Sequence, residues 1–324
     1  MNELLERRYR TVLRVLPSSY RAEREEEMVA AYLESSGDVP DAVNPYPRWG
    51  EVASVIALST RVRLGGAGAS PRFVAWGAAV RLVALCGLGF HAMAGTFTVV
   101  SLVPVAPGIG TRPFGVVAAV LWVAAYVSLA AGRARLAKPL ACAAGAVVLA
   151  ELAIRLNPAG PLGLLDLTSP VLNVVVPVTA LLLGFHGEAP APRRPWPWIV
   201  APVAAGLSLW ALVQPLLAAG RQTSPALWLW VDLMGPATVA LVVAAVVAAA
   251  RRTPSYVRLA LAILGTLTLL SRLPVLTSDP LAFGPREVWV SGVVQCAALA
   301  VVVTVMAVAG LRDLPAVRRG RAVT

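Results

Sequence analysis

The fold is decided by residues 288–311, VWVSGVVQCAALAVVVTVMAVAGL, a stretch without an acidic or basic side chain. As an α-helix rising about 1.5 Å per residue, it is long enough to cross the roughly 30 Å hydrocarbon core of a bilayer. Apolar runs with few charges precede it at about residues 74–104, 113–131, 138–156, 164–185, 197–219, 226–250 and 257–275. The pattern predicts an all-α protein with a bundle of about eight transmembrane helices.

The composition agrees with this prediction. Of the 324 residues, 58% are hydrophobic and only 14% are charged. A soluble domain is about half apolar and about a quarter charged. We therefore expect the lipid bilayer to be the main partner of the chain.

The basic excess lies outside the first part of the chain. The net charge is +11, but residues 1–72 hold ten arginines and ten acidic residues, so the other 18 basic and seven acidic residues supply the whole excess. A nucleic-acid site needs clustered cations, whereas these cations are spread between apolar runs. The distribution is typical of a positive-inside membrane protein and argues against a nucleic-acid partner.

The connecting segments predict the orientation. Twelve cations fall in one alternating set of loops and in the tail, and three (Arg112, Arg221 and Arg286) fall in the other set. Cytosolic loops carry the excess of Lys and Arg, so we expect both termini in the cytosol and an even number of spans in the cytoplasmic membrane. The predicted domains are a cytosolic helical domain at 1–72, a membrane domain at 73–311 and a basic cytosolic tail at 312–324.

Three short helices are predicted before the first span. Apolar residues recur at helical spacing in residues 2–16, and Pro17 ends that pattern. Ser18 and Ser19 are suited to cap a second helix, and a third is expected from Trp49 to Leu64. A domain this small is marginal alone, so a partner or self-association is expected to support it.

These N-terminal residues resemble the helical signalling and permease-prefix domains of bacterial membrane proteins. The residues that carry the resemblance are Leu5-Glu6-Arg7-Arg8-Tyr9-Arg10, Leu16-Pro17, residues 20–28 (YRAEREEEM) and the helix from Glu51 to Leu64. The resemblance implies a cytosolic protein partner bound through residues 1–66, and it supplies no catalytic residue. The membrane part resembles uncharacterised actinobacterial membrane proteins. The whole chain has 27 arginines and one lysine, a bias that reflects genome composition.

The second N-terminal helix carries a dense run of charges. Acidic side chains alternate there with two arginines, which suits either a docking face for a basic partner or an ordinary solvated helix face. The candidate docking residues are Arg21, Glu23, Arg24, Glu25, Glu26 and Glu27.

Ionisable residues inside the spans form a second candidate site. Such groups cost about 2.5–3.5 kcal/mol on insertion scales, so each is a candidate for function. They suit either an outward-facing polar pocket with proton, cation and anion contacts, or structural salt bridges with the end residues at the headgroups. Prolines 177, 215 and 236 are expected to break helices around such a pocket. The candidate residues are Glu151, Arg155, Asp166, Asp232 and Arg272.

No catalytic, metal or cofactor motif is present in the sequence. His91 and His186 have no partner ligand at metal-binding spacing, and we expect His91 to make one interhelical hydrogen bond. The chain is therefore not expected to be an enzyme or to carry a cofactor. A regulatory or sensory membrane protein is the favoured function, a transporter or permease-like component is the alternative, and a homo-oligomer is compatible with both.

Overall fold

A computed structural model describes residues 3–36, 46–102, 113–155, 164–187, 189, 192–219, 224–277 and 286–315. These residues form α-helices and no strand, as the sequence predicted. The helices are α1 (Glu3–Leu13), α2 (Ser18–Ser36), α3 (Trp49–Arg63), α4 (Pro71–Leu102), α5 (Pro113–Ala130), α6 (Ala134–Arg155), α7 (Leu164–Gly184), α8 (Trp196–Ala219), α9 (Pro225–Val231), α10 (Met234–Ala250), α11 (Ser255–Thr277) and α12 (Arg286–Arg312).

The chain divides into two compact units. The first comprises Met1–Ala78 with His186–Ala189 and Leu314–Thr324, and the second comprises Ala79–Phe185 and Pro190–Asp313. Most of the predicted tail, including Arg318, lies outside the described residues. We call the two units the N-terminal unit and the helical-bundle unit.

The N-terminal unit has its own hydrophobic core. Leu5, Tyr9 and Leu13 follow one another at helical spacing on α1 and are almost fully buried. The Tyr9 ring stacks on Tyr32 of α2 with 4.0 Å between ring centroids. The core is completed by the buried residues Leu16, Tyr20, Val29, Val55 and Val62.

Hydrogen bonds hold α3 against the α1–α2 connection. The hydroxyl of Ser59 donates to the backbone oxygen of Val15 over 2.8 Å, and Arg63 Nη2 donates to the same oxygen over 3.0 Å. Val15 lies in the turn after α1, where the helix has ended and the carbonyl lacks an intrahelical donor. Two polar side chains of α3 thus stabilise the sharp connection ahead of Pro17.

The helical-bundle unit contains the apolar helices. Five described helices, α4, α6, α8, α11 and α12, are long and apolar enough to cross a membrane, and the bent pair α9–α10 makes a sixth if it is one span. Shorter apolar helices lie at Phe114–Ala130 and Thr168–Gly184. Small residues mediate the packing of α10, α11 and α12, where Ala245, Ala248 and Ala262 meet Val302 and Met306.

The sixth predicted span is not one continuous helix. The sequence predicted one apolar span over 226–250 with a break at Pro236. The break lies just ahead of that proline: α9 ends at Val231, α10 begins at Met234, and the two are bent by 61°. A Cβ atom on Gly235 would lie 2.3 Å from the Trp230 carbonyl oxygen, so the close approach at the bend requires glycine.

The predicted breaks at two other prolines do not occur. Helix α7 continues through Pro177, and α8 continues through Pro215. Membrane helices tolerate proline when neighbouring groups satisfy the freed carbonyl.

Candidate functional site

Asp232 and Arg272 form a bidentate ion pair at the bend between α9 and α10. Arg272 Nη1 donates to Asp232 Oδ2 over 2.7 Å, and Nη2 donates to Oδ1 over 2.6 Å. The arginine side chain is only 3% exposed and the aspartate is 41% exposed. Arg272 was expected at the end of its span, but α11 continues to Thr277 and Arg272 is buried instead.

At the bend, side chains form hydrogen bonds with the free backbone groups at the end of α9 and at the start of α10. Asp232 Oδ1 accepts hydrogen bonds from the backbone nitrogens of Met234 and Gly235 at the start of α10. Arg272 Nη2 donates to the Leu229 carbonyl oxygen near the end of α9 over 2.8 Å. The aspartate therefore lies at the positive end of α10, and the arginine lies at the negative end of α9.

Gln295 of α12 completes this group. Its side chain is fully buried, and Nε2 donates to the Leu229 oxygen over 2.9 Å. We call Asp232, Arg272, Gln295 and the Leu229 carbonyl the polar junction. Gln295 was not selected as a candidate from the sequence. What could have indicated it is that a single polar amide lies within a long apolar run.

The other candidate intramembrane charges do not join the polar junction. Glu151 is half-buried near the end of α6. The side chains of Arg155 and Asp166 lie outside the described residues. A pairing of Glu151 with Arg155, which the i,i+4 spacing favours, therefore stays a prediction. Among the described side chains of the five candidates, the structure brings together Asp232 and Arg272.

The charged run on α2 is largely engaged within the N-terminal unit. Arg10 of α1 donates through Nη1 and Nη2 to the two oxygens of Glu26, over 2.7 and 2.9 Å, and through Nε to Glu6. Arg21 lies 3.6 Å from Glu25. The hydrogen bonds from Arg10 hold the pKa of Glu26 below its usual value.

The same contacts raise the pKa of Arg10, first through Glu26 and then through Glu6. Of the remaining candidate docking residues, Arg24 lies 3.9 Å from Glu27, and Glu23 is exposed. The ion pairs between α1 and α2 favour a role for this run inside the unit.

Helix α3 leaves an apolar stripe on its outer face. Trp49 is 88% exposed and Ile56 is 50% exposed, and both lie on the flank of α3, beside the face that buries Val55, Ser59 and Val62. Ala53 lies one turn after Trp49, and Ala57 lies one turn after Ala53, next to Ile56. Both alanines are exposed. We call Trp49, Ala53, Ile56 and Ala57 the α3 stripe. The third helix begins at Trp49, as the sequence predicted, and the Trp49 side chain is exposed.

A cavity that is open on one side lies between helices of the helical-bundle unit, and its wall residues Ala201, Ala205 and Ala240 are exposed. Its volume is about 530 Å³, and residues of α4, α5, α7, α8, α10 and α11 line it. The described lining includes His91 but no Asp, Glu, Lys or Arg, and the polar junction residues Asp232 and Arg272 do not contribute to the wall. The cavity is therefore lined mainly by apolar side chains, unlike the polar pocket that the sequence suggested.

Two hydrogen bonds in the cavity wall satisfy backbone carbonyl groups that lack a helical donor because of a proline. Pro177 has no N–H, so the Asn173 carbonyl one turn earlier lacks its usual helical donor. His91 Nε2 lies 2.8 Å from that oxygen, which confirms the single interhelical hydrogen bond expected for His91. Because a carbonyl oxygen only accepts, Nε2 carries the hydrogen.

Tyr126 of α5 satisfies a carbonyl of α8 in the same way. Pro202 leaves the Trp198 carbonyl without its usual helical donor, and the Tyr126 hydroxyl donates to that oxygen. Neither Tyr126 nor Pro202 was singled out in the sequence. The sequence did contain a signal, because Pro202 lies within an apolar run and must leave the Trp198 carbonyl without its helical donor. It did not indicate that Tyr126, on another helix, would supply the donor.

Metal ligands are not clustered in the part of the chain that the structure describes. No group of three or more His, Cys, Asp or Glu residues there is placed to hold a metal ion. The His91 ring instead stacks on Trp122, with 4.2 Å between ring centroids.

No protein-family model matches the chain, and no curated protein or solved structure matches it either. The class of protein therefore rests on the helices themselves. Their length and composition define a multi-pass integral membrane protein of all-α architecture.

Proposed function

We propose that this is an eight-span protein of the cytoplasmic membrane with both termini in the cytosol. Support for eight spans comes from counting the bent pair once and adding α5 and α7 to the five long helices. Helix α5 has 18 residues, which corresponds to about 27 Å at the rise of an α-helix. The twelve-to-three division of loop cations supports the orientation.

We further propose a regulatory or sensory role, in which the N-terminal unit docks a cytosolic protein partner. The α3 stripe is the observation that carries this proposal. The unit closes its own core with one face of α3, yet it leaves Trp49 and Ile56 exposed beside that face. Exposed aromatic and aliphatic anchors on a helix are typical of protein-binding surfaces.

In-cell crosslinking followed by pull-down of the full chain tests this role. The double variant Trp49→Ser and Ile56→Ser should lose a partner that the wild-type chain retains, since it removes the apolar anchors without touching the core. Leu4→Ser is the matched control, because Leu4 is also apolar and 40% exposed but lies on α1. A chain lacking residues 1–66 should lose the same partner.

Retention of every crosslinked partner by both the double variant and the truncated chain would overturn the docking proposal. Loss of the partner in Leu4→Ser as well would assign the contact to the unit in general and reject the stripe as its surface.

A transporter or permease-like component is the second candidate. The bent pair α9–α10 favours it, since discontinuous helices with charged residues at the break form the sites of many transporters. Asp232→Asn and Glu151→Gln separate the two functions. A transporter should lose the uptake or resistance that depends on the gene, whereas a sensor should keep its partner and lose its response.

A further inference from the structure

The cavity of the helical-bundle unit is preformed by tight contacts around it. A Cβ atom on Gly87 would lie 2.6 Å from the Pro177 ring, so α4 and α7 already pack at close range. A Cβ on Gly206 would lie 2.6 Å from the Met93 carbonyl oxygen, which sets the same limit between α4 and α8. These helices cannot approach further to fill the space, so the cavity persists in the fold.

The space itself comes from small side chains. Alanines line the wall where α8 and α10 face the cavity, and they leave room that larger residues would occupy. The volume of about 530 Å³ falls within the range of ordinary small-molecule sites, roughly 300–1,000 Å³. The alanines of α8 and α10 in the wall are Ala201, Ala205, Ala237, Ala240 and Ala244.

Four polar side chains of the wall already donate their hydrogens within the protein. His91 and Tyr126 donate to the proline-freed carbonyls, and Thr268 donates to the Leu264 oxygen. Asn173 donates both hydrogens of its amide, one to Ser271 Oγ and one to the Ser169 oxygen. What these four side chains offer a ligand is therefore lone pairs, on the Asn173 amide oxygen above all.

A charged ligand does not suit this wall. A carboxylate or phosphate would enter without a counter-charge, because the described lining has no cation and Arg272 is engaged by Asp232. A hydrocarbon chain gains contact with the apolar wall, and a single hydroxyl finds an acceptor in it. The same logic disfavours ammonium compounds, which would find no carboxylate.

We infer that the cavity binds an uncharged lipid alcohol, a hydrocarbon-rich molecule with one hydroxyl group that donates to the acceptor groups of the wall. This inference holds for a sensor and for a transporter alike. Binding is measured on the purified chain and partner capture is measured in cells, so failure of one leaves the other result intact.

Photolabelling of the full-length chain in lipid nanodiscs tests the inference. The probe is a long-chain alcohol with a diazirine in its hydrocarbon chain, and the comparison probe is the carboxylic acid of the same length. Labelling by the alcohol should saturate, should be displaced by unlabelled alcohol, and should map to peptides of α8, α10 and α11. The acid should label these peptides at least about tenfold more weakly at equal concentration.

Cavity-filling variants provide the second arm. Ala240→Phe should weaken labelling by about tenfold, because the ring would occupy the space of the ligand. Val243→Phe is the matched control on the same helix, since Val243 is 55% exposed and does not line the cavity. Ala205→Leu reduces the cavity from the α8 side, and it replaces Ala240→Phe in the test if that chain does not fold.

Three results would overturn the inference. They are alcohol labelling that does not saturate, equal labelling by the acid, or unchanged labelling of a folded Ala240→Phe or Ala205→Leu chain.

Discussion

The ring of His91 in α4 donates a hydrogen bond to the Asn173 carbonyl in α7, the one that Pro177 deprives of its helical partner. The two residues are 82 positions apart in the chain, yet each needs the other. A buried carbonyl without a donor would cost about 1–3 kcal/mol, and an unpaired imidazole N–H would add to that cost.

His91→Leu should therefore destabilise the bundle by about 1–3 kcal/mol, because it leaves the Asn173 oxygen unsatisfied. The same substitution should cost less in a Pro177→Ala background, where residue 177 regains an N–H that can bond to the oxygen. Unfolding of the four chains in mild detergent, followed by circular dichroism, measures the coupling. Additive effects of the two substitutions would contradict this account of His91.

The polar junction predicts a second coupling. Arg272→Met should destabilise the chain by about 1–3 kcal/mol, since Asp232 loses its counter-charge and the Leu229 carbonyl keeps only the Gln295 donor. Adding Asp232→Asn should cost less than the same change in the wild type, because the unpaired charge is then removed. The control pair is Arg258 and Asp313, whose aspartate is 56% exposed, and its loss should cost below about 1 kcal/mol in the same unfolding measurement.

The bend between α9 and α10 depends on Gly235. Gly235→Ala should destabilise the protein by several kcal/mol, about 3 or more, because its Cβ would overlap the Trp230 carbonyl oxygen. Gly115→Ala is the matched control, since no atom lies within 4 Å of its Cβ and alanine favours a helix by up to about 1 kcal/mol. Similar melting temperatures for the two variants would show that the bend does not need glycine.

The pKa of Glu26 reports the contact between α1 and α2. In the folded chain Arg10 lowers this pKa from about 4.5, so the stabilisation is fully present above the unfolded pKa and is lost as the pH falls through the folded pKa. Arg10→Gln should return the pKa of Glu26 towards 4.5 and remove that part of the acid sensitivity. NMR titration of the Glu26 carboxyl carbon in the full chain measures the change, and an equal pKa in both chains would refute the contact.

The all-helical architecture and the apolar helices were predictable from the sequence because each run meets a local requirement. A stretch such as residues 288–311 has enough apolar residues in a row to cross a bilayer, whatever surrounds it. The three N-terminal helices were also marked by spacing and by Pro17. Pro236 indicated a break in the sixth span, but the position of the break at Asp232 and its angle were not predictable, because a bend within an apolar run leaves the periodicity of both halves unchanged.

For the candidate charged residues, too, the sequence predicted one part and the tertiary structure decided the rest. The sequence placed Asp232 and Arg272 among five ionisable residues, but it did not indicate that these two would meet or that Gln295 would join them. Their contacts require α9, α11 and α12 to converge, and many packings of apolar helices satisfy the same pattern. The α2 charges were predicted to form a docking face or a solvated helix face, and the sequence did not indicate that Arg10 on a different helix would pair with Glu26.

Amino-acid order alone thus establishes the membrane class and the all-α fold, because lipid demands that apolar helices satisfy their backbone internally. The tertiary structure alone decides where a proline-freed carbonyl finds its donor, which charges pair and where the bundle leaves space. Each of these depends on side chains from separate helices meeting at close range, and the periodicity of one helix does not specify its neighbours.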